Sequence, residues 1–90
     1  MARSTEPAAD AGIVRDSSVC GGEPVVSGTR IPVRSIVVAY QMSGDVEGVQ
    51  AAYPRLDRPA IQAALAFYRR HQHEIDRLIQ DSERIAYQAD

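Results

Sequence analysis

The sequence predicts a mainly α-helical domain in which a short N-terminal β-hairpin precedes a three-helix helix-turn-helix unit, similar in layout to a homeodomain, and a C-terminal helical tail. Three observations support this fold class. The chain of 90 residues is long enough for one compact domain. Two β-prone runs flank Ser27-Gly28, and beyond them apolar residues recur at helical spacing between helix start and stop signals. A tight turn then separates the second predicted helix from the third.

The N-terminal segment, residues 1–12, has no periodic apolar pattern and is rich in Ala, Ser, Thr, Glu and Pro. We therefore expect a flexible leader there. Ile13-Val14-Arg15 is compatible with a short extended stretch. The domain is expected over residues 13–73 and the helical tail over residues 74–90.

The predicted hairpin lies in a motif of small and β-prone residues. Pro24-Val25-Val26 and Thr29-Arg30-Ile31 lie on either side of Gly28, which adopts a positive φ without steric cost. Pro24 and Pro32 limit the pairing because neither has an N–H to donate. We interpret the motif as architectural, and its residues are Gly22, Pro24, Gly28, Thr29, Arg30, Ile31, Pro32 and Val33.

The first two helices are predicted from their boundaries. Val33–Met42 is predicted as a helix, with Pro32 at its first turn and Ser43-Gly44 as its stop, although Ile36-Val37-Val38 is β-branched and also suits a strand. Asp45 is placed to cap the second helix by accepting from the N–H of Glu47 or Gly48. Pro54 ends that helix. Gly48 inside it costs up to about 1 kcal/mol relative to Ala.

The third helix has the strongest apolar period in the chain. Asp57 is its expected cap, with Arg58-Pro59 in the first turn. The apolar face includes Ile61 and Leu65, and its period continues past Gln72. The helix is predicted either to run unbroken to about Ser82 or to bend near 71–73, and residues 83–90 are expected to fray.

Composition restricts the classes of function. Cys20 is the only cysteine, which excludes an intramolecular disulfide and fits a reducing compartment. No apolar run reaches the ~20 residues of a membrane span, and no secretory signal is present, so we expect a cytoplasmic protein without membrane contact. His71 and His73 have the wrong spacing for two ligands on one helix face. We expect no enzyme, catalytic residue, metal or cofactor.

The net charge of −2 conceals a division along the chain. Residues 34–73 carry five Arg against three acids, whereas residues 74–90 carry two Arg against five acids. On the third helix, Arg58, Gln62, Arg69 and His73 fall within about 60° of one another at ~100° per residue. Such a polar stripe suits DNA recognition, and a solvated helix face is the alternative. The predicted DNA-binding residues are Arg55, Arg58, Gln62, Arg69, Arg70 and His73.

The motif Gly22-Glu23-Pro24-Val25-Val26-Ser27-Gly28-Thr29-Arg30-Ile31-Pro32-Val33, followed at intervals by Gly44, Tyr53-Pro54, Leu56, Ile61 and Tyr68, resembles domain-of-unknown-function family 433. The resemblance covers about residues 13–79. It implies a homeodomain-like helix-turn-helix protein and, for many members, the antitoxin half of a type II toxin–antitoxin pair of the VapB kind. Such a protein binds and inhibits a PIN-like ribonuclease toxin and represses its own promoter. The operator DNA and a second copy of the chain in a homodimer are then further expected partners.

The acidic tail is the segment expected to bind the toxin. An arginine there is placed to pair with the carboxylates around the metal of a PIN-like active site. The expected toxin-binding residues are Ile75, Arg77, Leu78, Ile79 and Arg84. Two alternatives remain open at this point. The tail packs either on its own domain or on a partner, and the whole chain is either this antitoxin or a homo-oligomerising interaction module that does not bind DNA.

Overall fold

The computed structural model describes residues 5–7 and 12–88. The elements are, in order, strands β1 (Thr5–Pro7) and β2 (Ile13–Asp16), a 3-10 turn (Cys20–Gly22), strand β3 (Pro24–Val26), and helices α1 (Val33–Ser43), α2 (Val46–Ala52), α3 (Arg58–Arg70) and α4 (Gln72–Gln88). An N-terminal antiparallel hairpin followed by helices confirms the predicted fold class. Among the described residues, no helix has both the length and the apolar character that crossing a bilayer requires.

The N-terminal sheet is antiparallel with the strand order β1-β2-β3. Ile13 of β2 lies opposite Val26 of β3, and both side chains are buried. The predicted extended stretch at 13–15 is therefore a strand, and it is the main partner of β3. Of the segment 1–12, expected to be a flexible leader, Thr5–Pro7 form the edge strand β1, while 1–4 and 8–11 lie outside the described residues.

The predicted tight turn at Gly28 is present, but the segment after it pairs less than expected. Gly28 has φ 79°, and the Thr29 N–H donates to the Val26 carbonyl at 3.0 Å. The Val26 N–H donates to the Ile31 carbonyl at 2.9 Å, and a single bridge joins Val25 to Pro32. Because Pro32 has no N–H, the ladder ends there, and no strand forms over 29–31.

The Gly22–Val33 motif is built into the fold through side chains as well as the turn. The Thr29 hydroxyl donates to the Val26 carbonyl and accepts from the Ile31 N–H, at 2.8 and 3.0 Å. Arg34 Nε donates to both carboxylate oxygens of Glu23, at 2.9 and 3.1 Å. Val33 is fully buried. The motif thus joins the sheet to the start of α1, which agrees with an architectural role.

Helix α1 resolves the strand-or-helix alternative in favour of the helix. Its buried side chains recur at helical spacing because one face packs on the core, and they are Val33, Ile36 and Val37. Pro32 precedes it with extended backbone, and Gly44 ends it with φ 83° while donating to the Tyr40 carbonyl at 2.7 Å. Both boundaries were predicted from the sequence.

Helix α2 begins at its predicted cap and contains a glycine that the fold requires. Asp45 Oδ1 accepts from the Gly48 N–H at 2.8 Å. A Cβ atom at Gly48 would overlap the side chain of Ser43. Glycine at this position therefore removes a clash, which outweighs the helix-propensity cost expected from the sequence.

The third helix ends at Arg70 and does not run on to Ser82. His71 leaves helical geometry with φ −126° and ψ 39°, and its N–H donates to the carbonyls of Phe67 and Tyr68. The His71 ring stacks on Phe67, with ring centroids 4.1 Å apart. The predicted bend near 71–73 is confirmed, and α4 extends to Gln88, into the segment expected to fray.

One apolar core joins the sheet to all four helices. Its largest fully buried members include Phe67, Ile13, Ile36, Ile61 and Ile75. Ile75 belongs to α4, and α4 packs against α1. The tail therefore packs on its own domain, which answers one of the two open alternatives.

Candidate functional site

The exposed face of α3 carries most of the predicted DNA-binding residues. Arg58, Gln62 and Arg69 are exposed, and the opposite face of the same helix is buried in the core. Arg70 is also exposed at the last turn, and Arg55 is exposed in the turn before the helix. All five residues are thus exposed in α3 or in the turn before it, and Arg58, Gln62 and Arg69 share one face of the helix.

The turn between α2 and α3 is held by three polar contacts. Asp57 Oδ1 caps α3 by accepting from the Ala60 N–H at 3.0 Å. Gln50 Nε2, from α2, donates to the Leu56 carbonyl at 2.6 Å, and Leu56 is buried with 3% exposure. The Leu56 N–H donates to the Tyr53 carbonyl at 3.0 Å. These contacts fix where the N-terminus of α3 projects from the domain, so Gln50 is a positioning residue that sequence reasoning missed.

The exposed residues of α3 form two groups along the helix. At 1.5 Å per residue, Gln62 lies about 6 Å from Arg58 along the axis, and Arg69 lies about 16 Å from Arg58. The major groove of B-DNA is about 12 Å wide. Arg58 and Gln62 are therefore closer together along the axis than one groove width, whereas Arg69 is further from Arg58 than that width.

His73 does not belong to this face, which corrects its predicted place on the stripe. The break at His71 interrupts the ~100° step on which the prediction depended. His73 lies instead on α4, where it lines a shallow polar cleft of about 240 Å³ together with Asp76, Arg77, Gln80 and Asp81.

A carboxylate lies beside the N-terminus of α3. Arg58 donates to Glu47 Oε2, in the first turn of α2, at 2.9 Å, and the two side chains are 50% and 76% exposed. This pair could not be predicted from the sequence, because Glu47 and Arg58 are 11 residues apart and meet only when α2 packs on α3. The field at this end of α3 is therefore mixed rather than purely positive.

The start of α4 is tied to the sheet and to α3. Arg15 makes two hydrogen bonds to the Glu74 carboxylate, at 2.6 and 2.9 Å, and these bonds lower the pKa of Glu74. The Tyr68 hydroxyl donates to Asp76 Oδ1 at 2.7 Å, and this hydrogen bond raises the pKa of Tyr68. Further along, Arg34 reaches the Ser82 hydroxyl at 3.4 Å. These contacts hold α4 on the domain in its first turns and again at Ser82.

The predicted toxin-binding residues separate into different environments. Ile75 has 0% exposure, so its assignment to a toxin-binding surface is corrected: it is a core residue. Leu78 and Ile79 are half-buried and pack against the core. Arg77 is exposed. Arg84 is a residue of α4 whose side chain the structure does not describe, and it follows Arg77 by seven residues, about two helical turns.

An apolar groove runs between α1 and α3. It measures about 330 Å³ and is lined by Val37, Tyr40, Gln41, Leu65, Tyr68 and Arg69. Met42, near the end of α1, is 83% exposed. Among the described side chains, no group of three His, Cys, Asp or Glu residues is arranged to hold a metal ion.

Comparison with known proteins places this geometry in a family. The model of the family described as "Protein of unknown function (DUF433)" matches residues 13–68, from β2 to near the end of α3. A crystal structure of a DUF433 member protein from Anabaena variabilis ATCC 29413 superposes with a TM-score of 0.70 at 33% sequence identity, covering 77% of this chain and 68% of the other. No curated protein matches the chain. Helix α4 lies beyond the residues matched by the family model.

Proposed function

This chain belongs to the DUF433 family of proteins of unknown function, and we propose that it is the antitoxin of a type II toxin–antitoxin pair that binds its operator DNA through α3 and a PIN-like ribonuclease through α4. One observation carries the proposal. A helix-turn-helix unit with a fixed turn presents Arg58, Gln62 and Arg69 on the exposed face of its last helix.

In the proposed complex with DNA, the two ends of α3 make different contacts. Arg58 and Gln62 enter the major groove, where Arg pairs with guanine and Gln with adenine. Arg69 and Arg70, with Arg55 in the turn, contact phosphates on the groove rim. Because the chain has a net charge of −2, this local basic face must supply the attraction to DNA, and a homodimer would double it.

The toxin-binding part uses the outward face of α4. Arg77 is exposed there, and the described core contacts of α4 leave this face uncovered. A guanidinium pairs in bidentate fashion with carboxylates such as those around the metal of a PIN-like site. Arg77, with Arg84 two turns further on, is the proposed inhibitory pair, and Leu78 and Ile79 contribute only their exposed edges.

A binding assay on duplex DNA from the promoter upstream tests the first part. Arg58→Ala should lower affinity by about 1–3 kcal/mol and relax sequence preference at one position. Arg69→Ala should weaken binding to all sequences and reduce the salt slope by about 1. Gln80→Ala, on the exposed face of α4, is the control and should bind as the wild type does. Absence of binding by the folded wild-type chain at low salt would refute this part.

Co-expression with the neighbouring ribonuclease tests the second part. We expect the wild-type chain to suppress RNA cleavage and the double variant Arg77→Ala/Arg84→Ala to lose most of that suppression. Arg55→Ala/Arg69→Ala, which removes two exposed arginines from α3 and the turn before it, is the matched control and should suppress cleavage as the wild type does. Unchanged RNA cleavage in the presence of the wild-type chain would refute the inhibitory role.

The alternative function is a homo-oligomerising module that does not bind DNA. The apolar groove of Val37, Tyr40, Leu65 and Tyr68 and the exposed Met42 favour it, since apolar surface of this kind suits a protein partner. Sedimentation with and without promoter DNA separates the two functions. An oligomer whose sedimentation ignores DNA at low salt supports the module, and a DNA-dependent shift supports the antitoxin.

A further inference from the structure

The N-terminal end of α3, which the proposed function places in the DNA groove, is in contact with the carboxylate of Glu47. Glu47 Oε2 accepts from Arg58 at 2.9 Å across the α2–α3 junction. Arg58 is the first residue of α3, and residues at this end of a recognition helix approach the bases. In this position the carboxylate occupies the arginine that a phosphate would otherwise attract.

The other two acids at this junction have structural partners, and Glu47 does not share their role. Asp45 Oδ1 accepts from the Gly48 N–H at 2.8 Å and Asp57 Oδ1 from the Ala60 N–H at 3.0 Å, so both cap helices. Glu47 has the Arg58 contact and 76% side-chain exposure. Its carboxylate is thus available for replacement without loss of a cap.

We infer that Glu47 is a selectivity residue that holds Arg58 away from the phosphate backbone and so weakens binding to DNA of arbitrary sequence. The inference rests on the proposed DNA-binding function. An ion pair this exposed is weak. A cognate site can therefore displace Glu47 by giving Arg58 a bidentate partner on a base edge, which is a charge-assisted contact of fixed geometry. Non-cognate DNA offers Arg58 only a phosphate, which must compete with Glu47 directly.

The test measures affinity for a random-sequence duplex over a range of salt concentrations. Glu47→Gln should bind this duplex about three- to fivefold more tightly than the wild type at about 0.1 M salt, as loss of an exposed ion pair allows. Its salt slope should be steeper by about 0.9, as one additional neutralised phosphate provides. Asp81→Asn makes the same change in net charge on the exposed face of α4 and should alter affinity less than about twofold. In an Arg58→Ala background, Glu47→Gln should also change affinity less than about twofold.

The outcomes separate this inference from the proposed function. If Glu47→Gln and Asp81→Asn behave alike, or if Glu47→Gln has the same effect with and without Arg58, the inference is overturned while DNA binding stands. Binding of random duplex by Glu47→Gln but not by the wild type supports it. If every variant is folded by circular dichroism and none binds random or promoter duplex, the DNA-binding function fails and the inference fails with it.

Discussion

Replacement of Ile75 by Ala tests whether α4 is part of the folded domain or a detachable tail. Ile75 has 0% exposure and lies in the same core as residues from the sheet and α1. Truncation of a fully buried Ile to Ala costs about 2–5 kcal/mol, because transfer energy is lost and a cavity remains. For a domain of this size, a loss of about 3 kcal/mol lowers the melting temperature by roughly 12–24 °C.

Urea unfolding followed by far-ultraviolet circular dichroism measures this loss. Ile75→Val should cost only about 0.5–1.5 kcal/mol, which gives a graded series if Ile75→Ala is too unstable to study. Gln80→Ala, on the exposed face of α4, is the control and should stay within about 0.5 kcal/mol of the wild type. If Ile75→Ala and Gln80→Ala unfold with the same free energy, α4 is not docked in solution and the packing described above is wrong.

Two further predictions concern local contacts. Gly48→Ala should destabilise the domain by about 1–3 kcal/mol in spite of the higher helix propensity of Ala, because its Cβ would overlap Ser43; a rise in melting temperature would contradict this. Arg15 lowers the pKa of Glu74 below its ordinary value of 4.5, so the pair stabilises the fold above that pH and loses its effect as the pH falls through the lowered pKa. On acidification below about pH 4.5, the melting temperature of Arg15→Gln should therefore fall less than that of the wild type. The difference should be modest, since the two side chains are 34% and 37% exposed. Parallel curves of melting temperature against pH would refute the coupling.

Helix boundaries could be predicted from the sequence because their causes are local. Asp45 and Asp57 cap the helices that follow them, and Gly44 ends the helix before it, all through contacts within four residues. Each of these contacts depends on the type of one residue and the spacing to its partner. The sequence therefore predicted the helix-turn-helix skeleton well.

Contacts between distant segments could not be predicted in the same way. The pairing of Arg15 with Glu74 lies next to the break between α3 and α4 and joins residues 59 positions apart. The prediction placed His73 on the polar face of α3 by continuing the helical period past His71. The period does not apply there, because the helix is broken at His71. The pairing of β3 with β2 depends on similar long-range packing.

The exposure of three predicted DNA-binding residues agrees with their spacing in the sequence, whereas their contacts with other helices could not be predicted. Arg58, Gln62 and Arg69 occupy one exposed face, as their spacing of four and seven residues indicates. The partner of Arg58 was not foreseen, since Glu47 belongs to another helix. The burial of Ile75 in the core of its own domain could not be predicted either. An amphipathic helix has the same spacing of apolar residues whether it packs on its own domain or on a partner.

An NMR titration of the isotope-labelled chain with promoter duplex DNA tests the central claim most directly. The account predicts that the largest changes in amide chemical shift fall between Arg55 and Ala63, in the turn and the first half of α3. Smaller changes are expected at Arg69 and Arg70, and α4 beyond Asp76 should stay unchanged. Changes confined to α4 or to the α1–α3 groove, or no changes at low salt, would contradict the assignment of α3 as the DNA-binding helix.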